Sequence, residues 1–320
     1  MRGILVRRTA MAVTLAALLS SLVVATAAVP TTAAECTFTF PPGGGDYFDT
    51  VVKGDVLCGG PGVDRVGLMD GGRFDGRGGN DSVRVLRRGV FNGSGGADVV
   101  GRQAGGRFNG GPGADEIIAL YGGRFNGRGG RDEVTDLYGG LFLGGLGDDS
   151  VFQLDLGEFR GGADDDYVDQ VEGGRYEGGP GNDKAFHMEG GTFLGEDGSD
   201  RVVNGHGGLF VGGPGRDKMA TSWKASMTFL GGAGNDKVGR LKDGKFKAGP
   251  GNDDVRTMSA GVFSGAKGRD AIDRYGTTED PNTMWGGTFY GGPGRDFADR
   301  SGCPGLKLVS VEDIAQTFDC

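Results

Sequence analysis

The chain has 320 residues, of which 70 are glycine, and its formal net charge is −9. The acidic balance disfavours nucleic acid as a partner, because proteins that bind nucleic acid need surplus positive charge to meet the phosphates. The glycine content excludes a helical fold, because each glycine in a helix interior costs about 1 kcal/mol. These properties favour a fold built from short strands and turns.

Residues 1–28 have the pattern of a secretory signal peptide. Three arginines precede an apolar run at 11–24, and small residues at 25–27 suit cleavage, with a second candidate exit at 32–34. A transmembrane interpretation is weaker, because the run is rich in small residues and barely long enough. We predict a secreted, extracellular protein without a membrane span after signal removal, and an N-terminal cap at 29–53.

From residue 54 to residue 302 the chain repeats, and one aspartate marks each repeat. The spacing is 17 residues except for two longer gaps of 19 and 26 residues. A fixed period of this length indicates one structural unit stacked on itself. The fourteen members are Asp64, Asp81, Asp98, Asp115, Asp132, Asp149, Asp166, Asp183, Asp200, Asp217, Asp236, Asp253, Asp270 and Asp296.

Three apolar columns accompany the aspartates. An aromatic residue lies seven positions before all but the first of them, Val or Ile usually lies two positions after, and Leu often lies five positions after. Short apolar strands between glycine-rich turns predict an all-β parallel β-solenoid of about 14 coils, with these columns facing inward. A disordered, glycine-rich chain would give no reason to keep an aromatic residue in phase.

The aspartate column has a chemical consequence. Carboxylates on neighbouring coils about 4.8 Å apart repel by roughly 0.9 kcal/mol in water and about 3.5 kcal/mol at a dielectric near 20. A divalent cation between successive turns would reverse the sign. The column and the turn carbonyls offer hard oxygen ligands, which suit Ca²⁺, whereas no His or Cys recurs with the period. We therefore predict that all fourteen aspartates are Ca²⁺ ligands.

Four segments carry a resemblance to a known family: GGPGADEII from 111, GGLGDDSVF from 145, GGPGNDKAF from 179 and GGAGNDKVG from 232. They resemble the nonapeptide GGxGxDxUx of RTX, or haemolysin-type, calcium-binding repeat proteins. The resemblance spans 54–302. It implies a right-handed parallel β-roll in which Asp side chains and turn carbonyls hold Ca²⁺ between turns.

The chain departs from that pattern in two ways. One nonapeptide alternates with an eight-residue half, so that Gly123 stands where a second ligand Asp is expected, and we predict calcium on one side only. The turns at 127–132, 161–166, 195–200 and 265–270 also deviate from the motif. Loss of three signal arginines would take the charge from −9 to −12, and thirteen Ca²⁺ would then take it to +14, which favours partial occupancy.

Two alternatives remain open for the repeats. Each aspartate caps the amides of its own turn in a metal-free scaffold, or an acid pair cleaves polysaccharide, as in some parallel β-helices. No nucleophile motif surrounds His187 and His206, so we expect solvated turn histidines and no enzymatic activity. Insertions near Trp223 and at 277–285 predict loops that are either tolerated or part of a binding face.

The four cysteines lie at or beyond the ends of the repeats. Fourteen coils span roughly 65 Å, whereas a disulfide needs Cα atoms within about 7 Å. We therefore predict the bridges Cys36–Cys58 and Cys303–Cys320, the second within a C-terminal cap at 303–320. Such ends resemble those of secreted actinobacterial proteins of this repeat class.

Together these features predict a secreted calcium-binding repeat protein with a structural or adhesive role outside the cell. Its candidate partners, besides calcium ions, are a cell surface, an extracellular matrix or a polysaccharide.

Overall fold

The computed structural model describes residues 35–41, 47–273, 286–299 and 305–315. Within these ranges the chain forms strands and turns and no helix. The described residues from Cys36 onward belong to one compact unit. The predicted signal peptide, the Cys303–Cys320 bridge and the 277–285 insertion with Trp285 lie outside the described residues.

Thirty strands make up the described part of the chain, and most coils contribute two of them. In chain order they are β1 (Phe38–Thr39), β2 (Tyr47–Val52), β3 (Val56–Cys58), β4 (Arg65–Asp75), β5 (Ser82–Asn92), β6 (Val99–Gln103), β7 (Arg107–Pro112), β8 (Glu116–Leu120), β9 (Arg124–Gly129), β10 (Glu133–Leu137), β11 (Leu141–Leu146), β12 (Ser150–Leu154), β13 (Glu158–Ala163), β14 (Tyr167–Val171), β15 (Arg175–Glu177), β16 (Lys184–Met188), β17 (Thr192–Leu194), β18 (Arg201–Gly205), β19 (Gly208–Gly215), β20 (Lys218–Ser222), β21 (Met227–Gly234), β22 (Lys237–Leu241), β23 (Lys245–Lys247), β24 (Asp254–Met258), β25 (Ala260–Ser264), β26 (Ala271–Ile272), β27 (Gly286–Tyr290), β28 (Phe297–Asp299), β29 (Leu306–Val309) and β30 (Asp313–Ala315).

Each strand pairs in parallel with the equivalent strand of the next coil. Val134 lies opposite Val151 in one stack, and Phe142 lies opposite Phe159 in the other, each pair one period apart. The predicted all-β parallel solenoid with a 17-residue period is confirmed, with about 15 coils rather than 14. The stacking continues past both ends of the predicted repeats, since β2 pairs with β4 and β29 pairs with β27.

The three apolar columns form one continuous core. The aromatic side chains stack in a row from Phe74 to Phe289, with ring centroids 4.4–5.1 Å apart and planes within 14°. Such pairs contribute about 0.5–1.5 kcal/mol each beyond the burial of their area. The column five residues after each aspartate is more varied than predicted, because it includes buried Gln103 and Ser222.

A bend in the strand explains why positions two and five after each aspartate both face inward. Glu133, Val134, Asp136 and Leu137 pair with the next coil, whereas Thr135 is skipped. Strict alternation would place the second and fifth residues on opposite faces. The bend at the third residue returns both to the core, where Val134 and Leu137 are buried.

The predicted bridge between Cys36 and Cys58 is confirmed, with Cα atoms 5.7 Å apart. It fastens the segment leading into β1 to β3, the strand that pairs with β1. The first coils are thereby closed covalently at the end where a solenoid otherwise exposes its strands and core.

Tyr176 is the one tyrosine in the aromatic row from Phe74 to Phe289, and its hydroxyl is a local defect. The oxygen is buried without a hydrogen-bond partner of normal geometry, although the backbone N–H of Lys184 interacts with it weakly. Burial raises the pKa of the phenol well above its usual range. We predict that Tyr176→Phe stabilises the fold by about 1 kcal/mol, because a buried unpaired hydroxyl is costly.

Thermal melting of the variant checks this expectation. Phe159→Tyr, which adds a hydroxyl to the preceding ring of the same row, serves as the converse control and should lower the melting temperature. A drop in stability for Tyr176→Phe would show that the phenol makes a favourable contact.

Candidate metal centre

The fourteen repeat aspartates form a fourth column inside the solenoid, here called the aspartate column. Each ends a glycine-rich turn directly before the strand that follows it, and each is only 0–1% exposed. The sequence predicted the column but not its burial. Aspartate is almost never this buried unless it is paired, so each carboxyl must be neutralised or compensated within the protein.

One oxygen of every carboxyl from Asp81 to Asp296 is used to join coils. The backbone N–H of Asp115 donates to Oδ1 of Asp132 at 2.8 Å, and this is one of thirteen such bonds along the aspartate column, at 2.7–3.0 Å. These bonds run to the preceding coil, so the prediction that each aspartate caps its own turn is wrong for them. Asp64 does accept from its own turn, from Gly60 N–H at 2.7 Å.

The column ends on a residue that the sequence analysis missed. The N–H of Asp296 donates to Glu312 Oε2 at 2.9 Å, so that a glutamate takes the place of the next aspartate. Glu312 follows Asp296 by 16 residues, one fewer than the period, and this spacing could have identified it as the last member of the column. The different residue type concealed it.

The second carboxyl oxygen is left without a partner. From Asp81 to Asp296, Oδ2 of all thirteen aspartates is buried and has no hydrogen-bond partner among the described residues. Leaving such an atom unsatisfied costs on the order of 1–3 kcal/mol, and more for a charged group. This is the same atom on every coil, so the defect is a property of the repeat.

Glycine makes room for that oxygen. A Cβ added at Gly127, five residues before Asp132, would lie under 3.0 Å from Asp132 Oδ2 and 2.9 Å from the carbonyl oxygen of Gly144 on the next coil. The two oxygens therefore converge on the space that the missing side chain leaves. The same arrangement recurs at Gly144 with Asp149, and at Gly231 with Asp236.

Burial raises the pKa of the aspartates from Asp81 to Asp296. Desolvation is the largest cause, and it raises the pKa of Asp98 and Asp132 to about 6, that of Asp149 to about 8 and that of Asp166 to about 9. Repulsion from neighbouring carboxylates adds to the shift for Asp149 and Asp166. Loss of water is therefore a larger cost than the repulsion between carboxylates that the sequence predicts.

These residues fit calcium in their chemistry. The donors that converge are a carboxylate oxygen and a turn carbonyl, both hard, and Ca²⁺ takes six to eight such oxygens. Within the described residues no three His, Cys, Asp or Glu side chains cluster in a way that could hold a metal. Backbone carbonyls would therefore have to complete the ligand set.

The opposite half-turn lacks an equivalent column. Gly123 lies at the position of the second ligand with φ of 86°, and a Cβ there would collide with the carbonyl of Gly106. The turns that deviate from the motif follow the same backbone path as the others, at the cost of strain. Arg128, Glu196 and Ala266 have φ of 82°, 74° and 110° at a position where most other coils have glycine.

The histidines and the first tryptophan lie away from the column. His187 is in strand β16, so its predicted place in a turn is wrong. His206 contacts Glu189 through Nδ1 and meets the edge of Trp223, and Lys242 lies 3.6 Å from the centre of the Trp223 ring. Trp223 is thus partly packed, with 42% of its surface exposed.

Comparison with protein-family models, with curated proteins and with solved structures gave no match. The likeness to RTX repeats therefore rests on the turn motifs alone. None of the described residues belongs to a helix long and apolar enough to span a membrane.

The raised pKa values predict how stability depends on pH when calcium is chelated. Between the unfolded pKa near 3.9 and the folded values of about 6 to 9, the native state binds more protons than the unfolded state. The free energy of unfolding should therefore fall as pH rises from about 5 to 9. Denaturant melts in chelator at several pH values test this, and constant or rising stability would contradict it.

A pair of glycines in one turn tests the space around Oδ2. We predict that Gly127→Ala destabilises the protein by about 2–4 kcal/mol, as expected for overpacking against a polar group. Gly129→Ala is the matched control, because a Cβ there meets nothing within 4 Å. Equal melting temperatures for the two variants would contradict the packing described here.

Proposed function

We propose that the chain is a calcium-stabilised solenoid scaffold, secreted and used for a structural or adhesive purpose outside the cell. The observation that carries the proposal is the row of buried Oδ2 atoms without hydrogen-bond partners, most of which share a glycine gap with a turn carbonyl of the next coil. Ca²⁺ bound there would compensate the ionised carboxylates and tie each coil to its neighbour. The signal-like segment at 1–28 supports placing the protein where free calcium is plentiful.

Calcium binding would be coupled to folding. The two kinds of oxygen come together only when one coil lies on the next, so the unfolded chain lacks the site. One site that binds only the native state adds about 2.7 kcal/mol at a hundredfold excess of free ion over Kd. Several such sites would make the melting temperature strongly dependent on calcium.

A metal-free scaffold is the second candidate, and one observation favours it. Every Oδ1 in the column from Asp81 to Asp296 already accepts a backbone N–H, and the raised pKa values allow many of the carboxyls to be neutral near pH 7. A protonated Oδ2 could then donate to the nearby turn carbonyl. In that case protonation, and not calcium, would compensate the buried carboxyl groups.

Asp149→Asn separates the two candidates, because it should lower the melting temperature of a calcium-bound column and raise that of a metal-free one. The amide keeps the Oδ1 acceptor and removes the buried charge, so in chelator at pH 8 we expect the variant to melt above the wild type. In saturating calcium it loses a carboxylate ligand, and we expect it to melt below the wild type.

The control is Asp148→Asn, which makes the same charge change at the exposed neighbouring residue. It should shift both melts little. Calcium titration followed by circular dichroism and isothermal calorimetry completes the test. If calcium changes neither the melting temperature nor the heat of titration, the calcium proposal fails and the metal-free scaffold stands.

The partner classes follow from the same proposal. A rigid extracellular rod suits contact with a cell surface, a matrix or a polysaccharide, and no nucleic-acid partner is proposed because of the net charge of −9. The absence of enzymatic activity stays a prediction.

A further inference from the structure

The surface charge of the solenoid is divided into blocks along its axis. Residues 65–132 carry eleven Lys and Arg against seven Asp and Glu, whereas residues 133–200 carry three against seventeen. Residues 201–273 return to twelve against seven. Each block holds four members of the aspartate column, so the alternation of sign persists whether those carboxyls are ionised, protonated or bound to calcium.

The charges of the acidic block cannot be matched within it. Of its three cations, Arg160 and Arg175 already pair with Glu158 and Glu177. All eleven cations of the first block are exposed, and only Arg73 and Arg88 among them pair with carboxylates of the described chain, those of Asp75 and Asp70. A basic segment and an acidic segment of equal length therefore lie side by side on one rod, each with surplus charge.

Apolar side chains are exposed where these two blocks meet. Ile118, Tyr121, Tyr138 and Phe152 are 47%, 46%, 37% and 51% exposed, and all four project from the strands and following turns of three consecutive coils. We call this set the junction patch. Trp223 is the one exposed large hydrophobic residue of the described block 201–273, so the second charge boundary has no comparable patch.

The junction patch is flanked by opposite charges on its own side of the solenoid. Arg84 and Arg87 occupy the equivalent positions, three and six residues after Asp81, and Arg102, on the coil directly before the patch, lies 4.6 Å from the centre of the Tyr121 ring. Asp155 lies six residues after Asp149 on the last coil of the patch, and Asp169 and Glu172 occupy the equivalent positions of the coil that follows. An apolar centre between a basic arm and an acidic arm is self-complementary under a two-fold rotation.

We propose that two copies of this chain associate antiparallel through the junction patch, as a two-fold symmetric dimer. The basic arm of each copy would face the acidic arm of the other, and the two junction patches would pack together on the axis. A polyanion would account for the basic arm alone and a polycation for the acidic arm alone. A second copy accounts for both arms and for the apolar centre between them.

Sedimentation velocity of the full chain in calcium, at about 50 mM and about 500 mM NaCl, is the direct test, because salt screens exposed charges. We expect a dimer at low salt whose Kd rises about tenfold or more at high salt. A spin label at Thr135→Cys, in the central coil of the patch, should report a short intermolecular distance at low salt. Thr135 would lie near the axis.

Variants separate the apolar and charged contributions. Ile118→Ser with Phe152→Ser should weaken the dimer about tenfold or more, as loss of a buried interface centre does. Leu146→Ser is the matched control. Leu146 is 64% exposed and lies in the same coil as Phe152, but it is at the end of β11, before Asp149, and outside the junction patch. Circular dichroism confirms that each variant is folded.

Charge reversal provides the decisive comparison. Arg84→Glu with Arg87→Glu should abolish the dimer, and adding Asp169→Arg with Glu172→Arg should restore it at the net charge of the wild type. A monomeric wild type at low salt would overturn the proposal, including one that instead binds a soluble polyanion or polycation. Equal weakening by Leu146→Ser, or no rescue by the fourfold variant, would also overturn it.

Discussion

Each coil of this protein buries one carboxyl group, and the stacking of coils repeats that group about every 4.8 Å. The rest of the structure depends on how this is tolerated. Oδ1 is hydrogen-bonded to the backbone of the preceding coil, whereas Oδ2 faces a turn carbonyl with no donor between them. Desolvation raises the pKa values, so at neutral pH the column requires either cations or protons. Under the proposed calcium binding, folding and ion occupancy would be one equilibrium.

Two features of the repeat accommodate that constraint. A glycine five residues before thirteen of the fourteen aspartates leaves the space in which Oδ2 lies, as Gly127 does for Asp132, whereas Ala248 takes this position before Asp253. The aromatic row supplies cohesion from the same coils, with thirteen rings stacked from Phe74 to Phe289. The apolar columns therefore stabilise the stack that the carboxyls, when ionised and uncompensated, oppose. Repetition multiplies both effects equally.

The surface charge does not follow the 17-residue repeat that governs the interior. Inside, every coil is nearly equivalent, whereas outside the charge changes sign between residues 132 and 133 and again near residue 200. A period of four coils has no role in packing a solenoid, because neighbouring coils interact one at a time. Surface charge arranged over that length is instead suited to contact with another extended molecule, and the junction patch marks one place for it.

The sequence by itself determined the period, the inward columns, the parallel solenoid and the Cys36–Cys58 bridge, because a repeating unit imposes the same local choice on every coil. Burial of the aspartates, the bond from each N–H to the next carboxyl and the closing role of Glu312 came only from the tertiary structure. These depend on how far the backbone of one coil turns relative to the next. Residue spacing fixes which groups are neighbours, but the direction of a side chain and its loss of water are decided only when the coils are stacked.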